Sequence, residues 1–151
     1  MREPLLLGLI AGAAGTTALN VITYLDMAAR GRASSSLPAD AAEELAKDAG
    51  LPLGTGQTRT HREEGLGALL GYATGLGVGA AYGLLRTKVR LPLPVAAVGL
   101  GVAAMVGSDV PMTALGLTDP RTWPASSWVA DALPHAAYGL AAAATFELIN
   151  D

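Results

Sequence analysis

Three acidic residues and one histidine with the chemistry to bind a proton or a cation lie near the ends of long apolar segments. They are Asp26, Asp109, Asp131 and His135. Ionisable groups are costly to place in hydrocarbon, so within a membrane they are hypotheses for function by default. If the apolar segments are successive spans, all four side chains approach the same membrane face. One interpretation of this grouping is a proton- or cation-binding vestibule that uses Asp26, Asp109 and His135, with Asp131 beside it.

The same residues have a structural interpretation and two chemical alternatives. Charged residues are common at the ends of membrane helices. Asp109 could therefore pair with Arg62 or form a hydrogen bond across a kink at Pro111. A divalent metal site has suitable ligand types, but no local spacing of ligands supports it. The chain has no cysteine, and no Gly-x-Ser-x-Gly sequence marks a nucleophile. We therefore expect no catalytic residues, no metal and no cofactor, and we predict that the protein is not an enzyme.

Five glycines recur at every fourth position of one apolar segment. They are Gly67, Gly71, Gly75, Gly79 and Gly83. This spacing places them along one helix face, where the missing side chains let a second helix backbone approach closely. Because a helix has 3.6 residues per turn, the row drifts by about 40° at each step, and one straight neighbour cannot cover it. The spacing predicts a glycine zipper that two neighbours share, or that one crosses at a right-handed angle.

The charged residues are concentrated outside a few long apolar runs. Only 15% of the 151 residues are charged and 51% are apolar, whereas a soluble domain has about 25% charged residues. Residues 5–25 and residues 65–85 are uncharged runs of 21 residues each, and a helix of that length spans the roughly 30 Å hydrocarbon core of a bilayer. The composition excludes a disordered chain and a nucleic-acid-binding surface, and it predicts a protein of the cell membrane.

These runs predict one all-α integral membrane domain over residues 1–151, a four-helix transmembrane bundle. The expected spans are residues 5–29, 65–85, 93–117 and 129–149. The fourth is the least apolar, since it contains Asp131, His135 and Glu147. The polar connection, residues 30–64, is predicted to carry a short amphipathic helix at residues 37–49 that lies over the membrane face of the bundle. The distribution of Lys and Arg leaves the orientation open, with a slight preference for a cytoplasmic connection.

Several stretches resemble a group of small, uncharacterised multi-pass membrane proteins of high-GC actinobacteria. The similar stretches are Gly12–Asn20, Thr23–Met27, Gly65–Gly71 and Gly107–Met112. The resemblance extends over most of the chain, and its motifs are helix-packing sequences. It implies a membrane location and no particular activity.

Two functions are compatible with these patterns. The first is a non-enzymatic structural or accessory subunit that self-associates, or docks to a larger membrane complex, through the glycine row. The second is a small transporter or channel in which the Asp and His residues bind the permeant ion. In both cases the expected surroundings are the lipid bilayer and other membrane proteins, and not nucleic acid.

Overall fold

The chain is all-α, as the sequence predicts. A computed structural model describes residues 3–150. Its helices are α1 (Pro4–Arg30), α2 (Leu37–Asp48), α3 (Gly56–Leu85), α4 (Leu93–Ala114) and α5 (Ala125–Asn150), with a short 3-10 helix at Pro120–Thr122. α3 begins at Gly56, well before the expected start at residue 65, because the polar residues ahead of the apolar run continue the same helix.

Proline and glycine mark several helix ends. Pro4 lies in the first turn of α1, where the absent N–H costs no helical hydrogen bond. Gly31 ends α1 in the left-handed conformation with φ 61°, which glycine adopts without a steric penalty. At the start of α2, Ser36 makes no side-chain capping hydrogen bond, and its hydroxyl donates to the Asp40 carboxylate at 2.9 Å. The Leu37 N–H donates instead to the Ser35 hydroxyl at 3.3 Å.

Four long helices pack around the interior in the order α3, α1, α5 and α4. α1 lies between α3 and α5, α5 packs on α4, and a smaller contact between α3 and α4 closes the arrangement. α2 packs against α3, and an ion pair between Arg59 and Glu43 holds the two together. The short helix of the connection therefore forms where it was expected and packs along α3. Its position over a membrane face stays a prediction.

Three helices in the described part of the chain are long and apolar enough to cross a membrane by length and composition. They are α1, α3 and α4. α5 has 26 residues but does not meet the same measure of apolarity, because Asp131, His135 and Glu147 interrupt it. A fourth span at α5 thus stays a prediction.

Small side chains fill the interior, and large apolar side chains cover the outside. The buried cluster is rich in alanine, and its largest fully buried members are Tyr138 and Phe146. The exposed face of α4 is a row of valines, Val95, Val98, Val102, Val106 and Val110. Contiguous apolar surface of this kind is rare on soluble monomers. In a bilayer it is expected, because lipid tails are as apolar as these side chains and close packing of small residues holds the helices together.

The turn between α4 and α5 collects both tryptophans at one end of the bundle. Asp119 accepts hydrogen bonds from the backbone N–H and the guanidinium of Arg121. The guanidinium lowers the pKa of Asp119, so the carboxylate stays ionised at neutral pH. The rings of Trp123 and Trp128 contact each other with centroids 5.2 Å apart. The chain contains only these two tryptophans, so their fluorescence reports on this end alone.

Candidate functional site

Three of the four predicted ionisable residues come together where α4 and α5 pack. Asp109 lies near the C-terminal end of α4, and Asp131 and His135 lie one turn apart near the N-terminal end of α5. Residues 115–124 connect the two helices, so the C-terminal end of α4 and the N-terminal end of α5 lie at the same end of the bundle. Ser108, which no motif in the sequence marks, completes the group. We call Ser108, Asp109, Asp131 and His135 the carboxyl-imidazole cluster.

Both nitrogens of the His135 ring face oxygen atoms. Nδ1 lies 2.8 Å from the backbone carbonyl oxygen of Asp131 and 3.4 Å from its carboxylate. A carbonyl oxygen only accepts, so Nδ1 carries a hydrogen and donates it. Nε2 lies 3.5 Å from the Ser108 hydroxyl, which itself donates to the Met105 carbonyl at 2.9 Å. With that hydroxyl hydrogen engaged, the serine oxygen can accept from Nε2, and the ring can hold a proton on each nitrogen.

The two carboxyl groups of the cluster are close neighbours in a partly buried position. Asp131 and His135 are titratable groups close enough to Asp109 to influence it electrostatically. The Asp131 side chain is 22% exposed and that of His135 is 13% exposed. Asp131 Oδ2 is buried without a hydrogen-bond partner. A buried acceptor without a donor costs free energy, and a proton shared with Asp109, or a bound cation, would remove that cost.

Asp26 is not part of this cluster, although it lies at the same end of the bundle and lines a groove with Ala130 and Pro134 of α5. Its Oδ2 pairs with Arg30 at 2.7 Å and with Arg32 at 2.5 Å. The alternative partner proposed for Asp109 is also engaged elsewhere, because Arg62 donates to the Leu53 carbonyl at 3.1 Å. Over residues 3–150, no group of three or more His, Asp or Glu residues has the geometry to hold a metal ion.

Four of the five glycines in this row lie against other helices. A Cβ atom on Gly67 would come within 2.6 Å of the Pro38 backbone in α2. Cβ atoms on Gly75, Gly79 and Gly83 would collide with α1, at Thr16, at Gly8 and Gly12, and at Pro4 and Gly8 respectively. Gly71 has open space around it. Two neighbours, α1 and α2, therefore share the row in the folded chain.

A second polar group joins α3 and α5 at the opposite end of the bundle. Arg86 pairs with Glu147 at 2.7 Å and donates to the Leu91 carbonyl at 3.2 Å. Its guanidinium also lies 5.5 Å from the centre of the Phe146 ring, which is within the range of a cation–π contact. No sequence signal joins these residues, because they come from different helices and share no motif.

No protein-family model, no curated protein and no solved structure matches this chain. The resemblance to the actinobacterial membrane proteins stays a prediction.

Proposed function

We propose that the chain is a multi-pass membrane protein with four spans, α1, α3, α4 and α5. What supports α5 as the fourth is the direction of its side chains. Val129, Leu133 and Leu140 are exposed on its outer face, whereas Asp131 and His135 are mostly buried against α4. Two of the three residues that lower the apolarity of α5 are therefore turned away from the outer face, which is the arrangement expected for polar residues inside a bundle. The third, Glu147, pairs with Arg86 near the other end of the helix.

The function we propose is that of a non-enzymatic structural or accessory subunit, which associates with a second copy or with another membrane protein. The observation that carries this proposal is a second row of small residues on α3. Ala73, Gly77 and Ala81 are all exposed, and a Cβ atom on Gly77 would meet nothing within 4 Å. Gly77 lies two residues from both Gly75 and Gly79, which is about 200° around the helix. One face of α3 is thus used within the chain, and the opposite face is free for a partner helix.

Replacing Gly77 by leucine tests this face. The monomer has room for the new side chain, so we expect the fold to be unchanged and association to be lost, because the bulk holds the partner backbone away. Stoichiometry would be measured by single-molecule photobleaching in native-membrane particles. Val102→Leu, which enlarges an exposed side chain on α4, is the matched control. If the Gly77→Leu variant keeps the wild-type stoichiometry and partners, the association face is not on α3.

A second candidate function is proton or cation transport through the carboxyl-imidazole cluster. The specific observation in its favour is the buried Asp131 Oδ2, which lacks a hydrogen-bond donor and lies in the group that contains Asp109 and His135. A site that alternates between holding and releasing a proton needs such an acceptor, with a second titratable group beside it.

Asp131→Asn tests the transport hypothesis. The variant keeps the shape of the side chain but removes the charge that would bind the ion, so we expect flux in proteoliposomes to fall at least tenfold with the helical content unchanged. Flux would be followed with a pH-sensitive dye, and then with cations, under an imposed gradient. Asp26→Asn, at a residue that pairs with arginines outside the cluster, should keep most of the flux. Absence of flux from the wild-type protein, or equal loss in the two variants, would contradict this function.

A further inference from the structure

A half-open groove runs between α1 and α5 at the end of the bundle that holds the tryptophans. It has a volume of about 390 Å³, and its lining includes the apolar side chains of Ile22, Val129 and Leu133. Arg30 and Asp26 lie on its rim. From Ile22 to Arg30 the groove follows α1 for about 12 Å. It therefore extends from the polar end of the helix toward the middle of the proposed span. A lipid with its headgroup at the membrane surface has its acyl chain in the same direction.

The polar end of this groove has two arginines for one carboxylate, because Arg30 and Asp26 line it and Arg32 lies beside Asp26. Arg30 and Arg32 both pair with the same oxygen atom of Asp26, so one carboxylate faces two guanidinium groups. The Arg30 side chain is 47% exposed and has further N–H donors for an anion. Basic pockets between membrane helices at headgroup depth bind acidic lipid headgroups, and arginine matches the geometry of a phosphate.

We propose that the groove between α1 and α5 binds one acidic phospholipid, with its phosphate at Arg30 and one acyl chain along Ile22, Val129 and Leu133. The inference rests on the proposed membrane insertion of both helices. Charge complementarity selects the occupant, because a zwitterionic lipid would bring its own cation toward the two arginines. The apolar wall accounts for the acyl chain, since burying it there replaces contacts with neighbouring lipids by contacts with a fixed surface.

The two tryptophans make this site observable without a label. Trp128 is in the first turn of α5, beside Val129 of the groove wall, and Trp123 contacts it. Bromine atoms on an acyl chain quench tryptophan fluorescence at short range. The protein would be reconstituted in vesicles containing either brominated phosphatidylglycerol or brominated phosphatidylcholine. Quenching is then compared as a function of the mole fraction of each lipid.

We expect wild-type protein to prefer the acidic lipid about fivefold, the factor that one basic residue contributes at a lipid surface. Arg30→Gln should abolish the preference. Ala130→Met, which adds bulk on the lining of the groove, should lower binding of the acidic lipid as well. The matched control is Arg121→Gln, which removes a cation at the same end whose side chain is 89% exposed, and it should keep the preference.

Three other outcomes would contradict the proposal. Equal quenching of the wild type by the two lipids would show that only the ordinary lipid shell is present and would exclude the site. Equal losses in Arg30→Gln and Arg121→Gln would assign the preference to general surface charge and exclude it too. Failure of both brominated lipids to quench would instead contradict the membrane insertion on which the inference rests.

Discussion

Replacing Gly79 by leucine is expected to separate α1 from α3 and to destabilise the fold by about 3 kcal/mol or more, the upper range for an overpacked interior. A Cβ atom at this position would come within 2.6 Å of both the Cα and the N of Gly12. These are backbone atoms of a long helix, so they cannot turn aside as the end of a flexible side chain would. The helix must shift as a whole, and the contacts at Gly8 and Gly75 are lost with it.

The free energy of unfolding would be measured by titration with sodium dodecyl sulfate in mixed micelles, followed by circular dichroism. Gly77→Leu is the matched control, because it places the same side chain on the same helix where a Cβ atom meets nothing within 4 Å. Its unfolding should stay within about 0.5 kcal/mol of the wild type, as for a surface substitution. If Gly79→Leu unfolds like the wild type, α1 and α3 do not pack as described.

This pair of variants also separates two roles that the sequence alone assigns to one motif. Taken from the sequence, the zipper glycines predict association with a partner, so a leucine at Gly79 would be expected to break a complex. In the folded chain Gly79 lies against α1, and Gly77 lies on the free face. Loss of stability is therefore the expected result at Gly79, and loss of association is the expected result at Gly77.

Local features of the fold could be predicted from the sequence because they depend on short-range physical properties. An uncharged run of sufficient length predicts a long apolar helix, and α1, α3 and α4 follow from it. The extension of α3 back to Gly56 could not be predicted from hydropathy, because residues 56–64 are polar and gain their support from α2. The position of α2 is likewise a matter of contacts, such as Pro38 against Gly67.

Part of the carboxyl-imidazole cluster could also be predicted from the sequence. Topology alone places the end of α4 beside the start of α5, and this brings Asp109 near Asp131 and His135. Topology does not determine how each helix is rotated about its own axis. The sequence therefore groups Asp26 with Asp109, Asp131 and His135, although its ion-pair partners are Arg30 and Arg32. Ser108 is next to Asp109 in the sequence. Serine forms many local hydrogen bonds, however, so this position alone does not identify it as part of a site.

The second large effect is expected at Tyr138, whose residue surface is 0% exposed. Its ring lies against two glycines from different helices. A Cβ atom on Gly15 of α1 would come within 2.7 Å of the ring, and one on Gly75 of α3 within 3.3 Å. The hydroxyl donates to the Gly75 carbonyl at 2.6 Å. One side chain of α5 thus fills the space that glycines leave in both α1 and α3.

Tyr138→Ala should therefore lower the free energy of unfolding by about 3 kcal/mol, the lower end for removing a buried aromatic ring. The lower end applies because the ring gains little from leaving lipid for the protein interior, and the loss comes mainly from the cavity and the missing contacts. Tyr138→Phe keeps the ring and removes one interhelical hydrogen bond, so about 0.6–1 kcal/mol is expected. Tyr24→Ala, at an exposed tyrosine of α1, is the control and should change little. The same detergent titration measures all three variants, and a loss at Tyr138→Phe as large as at Tyr138→Ala would mean that the hydrogen bond, rather than the packing of the ring, joins α5 to α3.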